Sequence, residues 1–382
     1  MKFMHLSDLH IGKRVNEFSL LEDQKYILER ILQIAADQVP DAIMIAGDIY
    51  DKSVPPAEAV EMFDEFLTRI AQMNLPCFVI SGNHDSPERI AFGARIMTAQ
   101  NIHMSKVFDG TLEPKVMEDE IGPVNIYMLP FIKPAQVRRF YPEDPVESYQ
   151  AGVEVVLSHS GVDPAARNVL IAHQFVTSAG KEPLRSESES ASVGGLENVD
   201  ASAFAAFDYV ALGHLHAPQW IGRETIRYAG SPLKYSFSEA RHTKSVTMVH
   251  LGGKNRVRID TLPLQPLRDM RAIKGPLREL ISPSAYAGTN TEDYIHITLT
   301  DEEEIMDAIG KVRTVYPNVM RLEYDNQRTK NMNTGLSAQE IHLQAPVQLF
   351  QEFYQLQNNV EMDDEKVRIV RELLEKLGGR LA

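Results

Sequence analysis

The stretch Cys77–Arg89, CFVISGNHDSPER, decides how this chain is read. Four apolar residues, Cys77 to Ile80, have the look of a buried strand, and the polar run from Ser81 onward stops it. A mere turn needs a glycine and at most one asparagine. Here Gly82 is followed by Asn83, His84 and Asp85, an amide, an imidazole and a carboxylate in succession. Such groups bind metal or move protons, so the stretch reads as a strand that ends in a site.

Working outward, the same arrangement recurs. "FMHLS" (Phe3–Ser7) leads into Asp8 and His10, and "AIMIA" (Ala42–Ala46) into Gly47, Asp48 and Asp51. "NVLIA" (Asn168–Ala172) leads into His173, and "YVAL" (Tyr209–Leu212) into Gly213, His214, Leu215 and His216. Helical periodicity lies between the first strands: Ile27, Leu28, Ile31, Leu32 and Ala35, then Ala59, Val60, Phe63, Phe66, Leu67 and Ile70, opened by Pro55 and Pro56. Alternation of this kind predicts an α/β fold with largely buried sheets. Ligands of such sheets sit at the carboxyl ends of the strands, so the five polar clusters are expected to converge.

The converging set has chemical meaning. Asp8, His10, Asp48, Asn83, His173, His214 and His216 are too many ligands for one ion and suit two, with Asp48 expected to bridge. Imidazole mixed with carboxylate and amide oxygen favours Mn²⁺, Fe²⁺ or Zn²⁺ over Ca²⁺ or Mg²⁺, and the lack of a thiolate argues against structural zinc. Two dications against two carboxylates attract a phosphate and supply a nucleophilic water near neutral pH. If Asn83 faces a metal, His84 faces elsewhere, towards substrate, where it would protonate the leaving oxygen while Asp85 orients its ring. The glycines before Asp48, Asn83 and His214 are expected to let the chain turn sharply.

Composition bounds the rest. With 382 residues, 43% of them apolar, the chain calls for two or three domains and a sizeable core. Its net charge of −14 argues against a protein that coats nucleic acid, though bound cations can make a local positive field. The start MKFMHLSD has no apolar h-region, so a protein made without a secretory signal is expected; no apolar run is long enough to span a membrane, and the single Cys77 reads as core. The expectation is a cytoplasmic protein without a membrane partner.

"SVTMVHL" (Ser245–Leu251) and "RVRIDTL" read as antiparallel strands, and the polar Ser178–Gly195 as a long loop. The pattern resets across Leu262–Pro276. Beyond it come "YIHITLT", a helix over "EEEIMDAIGKVRTVY" and "VMRLEYD", one small βαβ unit. Two helices close the chain; the last, "DDEKVRIVRELLEKLGG", carries Val367, Val370, Leu374 and Leu377 at helical spacing.

D-x-H, GDxxD, GNHD, a lone histidine and GHxH, in that order, resemble the calcineurin-like metallophosphoesterases. The resemblance implies a two-sheet β-sandwich flanked by helices, with a dimetal site at one edge. It gives one metal Asp8, His10, Asp48 and His216, the other Asp48, Asn83, His173 and His214, and makes His84 the proton donor. Within the family, "HLSDLHIGKR", "GDIYDKSVPP", "IAHQFV" and "YAGSPLKYSFSE" are similar to bacterial DNA-repair nuclease subunits. That likeness implies Mn²⁺-dependent hydrolysis of DNA, as an exonuclease on double-stranded ends and an endonuclease on single strands and hairpins. It also implies an SMC-like ATPase as partner and a homodimer within a heterotetramer, pairing through Pro56–Met73 and Pro87–Gln100. Residues 1–265 would be the nuclease domain, 266–335 a capping domain, and 336–382 the helices that dock the ATPase. Lys13, Arg14, Arg89, Arg138, Arg139, Lys181 and Arg185 are candidate phosphate contacts. The competing expectation is a phosphoesterase for a small-molecule or protein phosphate ester; Lys52 after Asp51 and Asp85 in place of Glu disfavour the protein phosphatases.

Overall fold

A computed structural model describes residues 1–189, 197–303, 305–327, 350–351, 354–355 and 360–378. Two compact units divide the chain, Met1–Met270 and Arg271–Ala382.

In the first unit, β1 (Lys2–Leu6), helix α1 (Leu21–Gln38), β2 (Ala42–Ala46), helix α2 (Ala57–Gln72), β3 (Cys77–Ile80) and β4 (Ile102–Met104) follow in turn. The four strands run parallel. Next come the antiparallel hairpin β5 (Lys115–Asp119) and β6 (Gly122–Leu129), helix α3 (Tyr149–His159), β7 (Arg167–His173) and β8 (Tyr209–Gly213). A short β9 (Gln219–Ile221) and β10 (Arg223–Tyr228) end the second sheet, and β11 (Ser245–Leu251) with β12 (Val257–Pro263) returns to the first. The sheet orders are β12-β11-β1-β2-β3-β4 and β9-β10-β8-β7-β6-β5.

Alternate residues of the inner strands point to opposite sheet faces. Phe3, Met44, Ala46, Phe78 and Ile80 of one sheet pack with Ile126, Val169, Ile171, Tyr209 and Ala211 of the other, forming the sandwich core. Leu170, Ala172, Val210 and Leu212 face the other way, against Val153 and Val156 of α3. Burial on both faces explains why β2, β3 and the Val169–Ala172 part of β7 read as unbroken apolar runs. Helix α1 buries the expected Ile27, Leu28, Ile31, Leu32 and Ala35. Helix α2 buries Ala59, Phe63, Phe66, Leu67 and Ile70, while Val60 stays exposed.

The second unit holds three strands in the order β13 (Met270–Gly275), β14 (Tyr294–Leu299), β15 (Val319–Tyr324), with β14 and β15 parallel. The expected βαβ unit thus gains one strand, β13, which lies inside the stretch where the pattern resets. Its helix, α4, covers only Ala308–Arg313. The expected longer helix is cut short because the Asp307 side chain caps it, accepting from the Gly310 N–H at 3.2 Å. Helix α5 spans Asp364–Gly378, and the Asp363 carboxylate accepts from the Lys366 N–H at 2.9 Å. Val367 and Val370 are half-buried. Of the helix expected before it, residues 350–351 and 354–355 are described and are helical; its remainder, the Leu374 and Leu377 side chains, and residues 190–196 of the loop lie outside the described residues. Among the described residues no helix is long and apolar enough to cross a membrane.

Candidate metal centre

The seven candidate ligands meet. Asp8, Asp48 and Asn83 follow the ends of β1, β2 and β3, His173 ends β7, and His214 follows β8. Asp8 N donates to Gly47 O at 3.0 Å and His10 N to Asp48 O at 2.9 Å, so the loops after β1 and β2 run side by side. The two sheets are stitched at the same edge by His173, whose Nδ1 donates to Ala46 O at 2.8 Å.

Glycine makes the approach possible, in a different way from that expected. Of the three glycines, Gly47 alone turns in the left-handed region, at φ 82°. At Gly213 the reason is space: a Cβ there would lie 1.9 Å from Ala46 O. The left-handed turns fall on the site residues themselves, Asp8 at φ 52°, His10 at 45°, Asp48 at 50° and His214 at 103°. Backbone of this kind is disfavoured for residues with a side chain and gathers at functional sites.

One half of the site is built on Asn83. Its Oδ1 lies 2.9 Å from His173 Nε2 and 2.9 Å from His214 Nδ1, and His173 Nε2 is 3.3 Å from Asp48 Oδ2. In the other half His10 Nε2 and His216 Nε2 are 3.1 Å apart, and His10 Nε2 is 3.7 Å from the same Asp48 Oδ2. Asp48 Oδ2 thus stands between the halves, in the position a bridging ligand needs, while Oδ1 accepts from the His84 N–H at 2.9 Å. Asp8 Oδ1 accepts from His214 N at 2.9 Å, and Oδ2 is buried with no partner. Ligand atoms of Asp8, His10 and His216 cluster within 4.8 Å, as do those of Asp8, Asp48 and His173.

A buried carboxylate oxygen without a partner, beside ring nitrogens and oxygens packed at 3 Å, is costly unless a cation stands among them. The donor set therefore fits divalent metal ions. The electrostatics agree. Burial pushes the Asp8 carboxyl up to about 6 and lowers His214 to about 3. Burial also opposes a charge on His173, but Asp48 outweighs it and raises that ring to about 9. A cation bound there would take the place of that proton.

His84 is half-buried beside the candidate ligands, its ring edge-on to His10 at 4.9 Å between centroids and, with Asp51 and His10, part of a third cluster of ligand-type atoms within 4.8 Å. Its Nδ1 donates to Asp51 O at 3.0 Å. Asp85 does not orient it, contrary to expectation. The Asp85 carboxylate turns inward and accepts from the N–H groups of Gly82, Ile49 and Tyr50 at 2.8, 3.1 and 2.9 Å. Three backbone donors outcompete one neighbouring ring, and they fix the loop after β3 to the loop after β2. Of the candidate phosphate contacts, Lys13 is tied to Asp51 at 2.7 Å and Arg138 to Val146 O at 2.5 Å, while the Arg185 guanidinium stacks 3.8 Å from the Phe175 ring centre.

Sequence reasoning missed the residues behind the ligands. Gln24 of α1 donates to His10 O at 2.7 Å and accepts from Gly12 N at 3.0 Å, propping the first loop. Tyr235 lies edge-on to His10 and His216. Ser188, Glu189, Glu239 and Lys244 surround His216. Each is a single polar residue far from any ligand in sequence; only Tyr235 and Glu239 fall in a stretch with a signal of its own, "YAGSPLKYSFSE".

A two-sheet sandwich with such a centre at its edge defines a class. Residues 1–218 match the calcineurin-like phosphoesterase family, and the chain belongs to it. Residues 266–358 match SbcD_C, described as the type 5 capsule protein repressor C-terminal domain. The chain is 33% identical over 329 residues, 84% of its length and 85% of the relative's, to the D subunit of nuclease SbcCD from Staphylococcus epidermidis. Within the phosphoesterases, its family is that of the SbcCD nuclease's D subunit. Solved structures similar to it include a Danio rerio dimetal phosphatase, with 10% identity, a TM-score of 0.41 and coverage of 70% of this chain and 98% of that one. A Thermus thermophilus protein has 12% identity and a TM-score of 0.39, covering 68% of this chain and 98% of its own.

Proposed function

We propose that this chain is the nuclease subunit of an SbcCD-type complex, a two-cation phosphodiesterase acting on double-stranded DNA ends, single strands and hairpins. The observation that carries the reading is the crowd of lone pairs around Asp48 Oδ2, with Asp8 Oδ2 buried and unpartnered beside it. Asp8, His10, Asp48 and His216 hold one cation, and Asp48, Asn83, His173 and His214 the other. Mn²⁺ suits this mixture of imidazole, carboxylate and amide oxygen.

When bound, the cations supply positive charge to seat a phosphate and a water acidified towards neutrality. The chain's own residues do the rest. His173 keeps its proton on Nδ1, bonded to Ala46 O, so that Nε2 is the ligating atom. His84 donates from Nδ1 to Asp51 O, which leaves Nε2 to pass a proton to the leaving oxygen. Asp85 holds the loops that carry Asp48 and Asn83 in register.

Membership of the SbcD family supports a nuclease over an esterase for small-molecule or protein phosphates. In this reading residues 1–265 are the nuclease domain, 266–335 a capping domain that helps position DNA, and 336–382 the helices that dock an SbcC-like SMC-family ATPase. Phe92 and Ile96, each at least 80% exposed, are the apolar surface on which two copies pair to give a homodimer within a cytoplasmic heterotetramer.

The test is digestion of end-labelled duplex and hairpin DNA with Mn²⁺, comparing the chain alone, the chain with its ATPase and ATP, and Asp48→Ala. Cleavage that needs metal, widens with the ATPase and vanishes in Asp48→Ala is expected. Equal cleavage by Asp48→Ala, or hydrolysis of small phosphate esters alone, overturns the reading.

A further inference from the structure

Glu239 has no solvent exposure and Lys244 only 4%, yet both carry charge and neither belongs to the ligand set. A buried ion pair is expensive to keep unless its remaining hydrogen-bonding capacity is used. Here much of it is used on His216 and on the groups beside it. Lys244 Nζ has three hydrogens and three acceptors: Glu239 Oε2 at 2.6 Å, Ser231 Oγ at 2.8 Å and the His216 carbonyl at 2.8 Å. The His216 N–H donates to Glu189 Oε1 at 2.7 Å. The ring is held too. His216 Nδ1 lies 2.9 Å from Ser188 Oγ and 3.2 Å from Glu239 Oε1, and the Ser188 hydroxyl donates to that same Oε1 at 2.6 Å.

We infer that Glu239, paired with Lys244 and bridged by Ser188, is a positioning residue that fixes the His216 ring with Nε2 aimed into the metal centre. The inference rests on the two-cation reading above. Hydrogen bonding runs one way, from Nδ1–H to the serine oxygen or the carboxylate, and from the serine hydroxyl to the carboxylate. Nδ1 therefore keeps its proton and Nε2 its lone pair. Ser188 and Glu189 come from the stretch expected to be a long loop, so part of that loop supports the site.

The experiment counts bound Mn²⁺ on the full chain by calorimetric titration and electron paramagnetic resonance, beside thermal unfolding in EDTA. The variants are Ser188→Ala, Glu239→Gln, and Glu239→Gln with Lys244→Met, which leaves no buried charge alone. The expected result is a metal-free melting point like wild type for the double variant and one ion bound about 10–100-fold more weakly. The second ion binds as in wild type, and Ser188→Ala shows the same split, smaller. Two ions bound with wild-type affinities by a folded double variant overturn the inference. Should the charge variants fail to fold, Ser188→Ala decides it, since wild-type affinity at both positions has the same meaning. A wild-type chain that binds no pair of ions defeats the two-cation reading itself, a different result.

Discussion

The two units bury different things. In Met1–Met270 the residues under the sheet edge include Asp8, His10, Asp48, His173, Glu239 and Lys244, all nearly without solvent contact. The core of the second unit is apolar, with Leu277, Ile295, Ile297, Leu299, Ala308, Val312, Tyr316 and Val319, and the buried Asp293 beside it is paired with Arg271 at 2.6 Å. Its described histidine, His296, is half-buried and pairs with Glu323 at 3.1 Å. A core made only to fold needs no buried charge, because desolvating charge opposes folding. A core that also holds cations accepts that opposition at the strand tips. The first unit should therefore respond to metal, and the second chiefly to packing.

The hardest blow to the comparison would come from the bridge. Asp48→Ala removes the oxygen shared by both halves, and cleavage is expected to fall by about 10³-fold or more, with both ions lost from calorimetric titration. Retained ions would mean that Asp48 Oδ2 is no bridge. His84→Ala separates chemistry from binding: the rate should fall by about 10²–10⁴-fold while two ions remain bound. Loss of metal in that variant would merge two roles that the contacts of His84 keep apart.

The second unit offers the complementary test. Ile297 has no exposure and sits at the centre of that apolar core. Ile297→Ala should destabilise this unit by about 2–5 kcal/mol, seen as an earlier unfolding transition, with Mn²⁺ stoichiometry unchanged. A change in metal binding would show that the two cores are not independent.

What could be read in the sequence was what each strand states by itself. Five apolar runs ending in abrupt polar clusters were legible because inner parallel strands are buried on both faces and carry no alternation. The sheet edges were not. β5 reads KVMED, mostly polar because one edge meets solvent, and β4 has three residues. Neighbourhood in sequence misled at Asp85, whose carboxylate found three backbone N–H groups rather than the adjacent ring. The residues that brace the ligands were out of reach for a related reason. Gln24, Ser188, Glu239 and Lys244 are single polar residues, and only folding gives each a ligand to hold. Gly213 looked like a turn former, although what matters there is the atom it lacks.

The smallest expected effect sharpens the comparison through pH. His5 lies in β1 with no exposure, its Nδ1 2.9 Å from Tyr209 Oη. Burial, helped by Arg227, lowers the ring to about 3, whereas an unfolded histidine titrates near 6.5. Between those values the unfolded chain binds the proton and the folded chain does not. Stability from this group is therefore complete above about 6.5 and is lost as pH falls towards 3, by about 1.4 kcal/mol per pH unit at most. His5→Gln, melted in EDTA between pH 6.5 and 4, should show a shallower loss of stability than wild type for the first unit. The transition of the second unit should move alike in both proteins. Identical slopes for the first unit would mean that His5 takes up its proton inside the fold, and that the strand tips, not the strand interiors, carry the acid sensitivity.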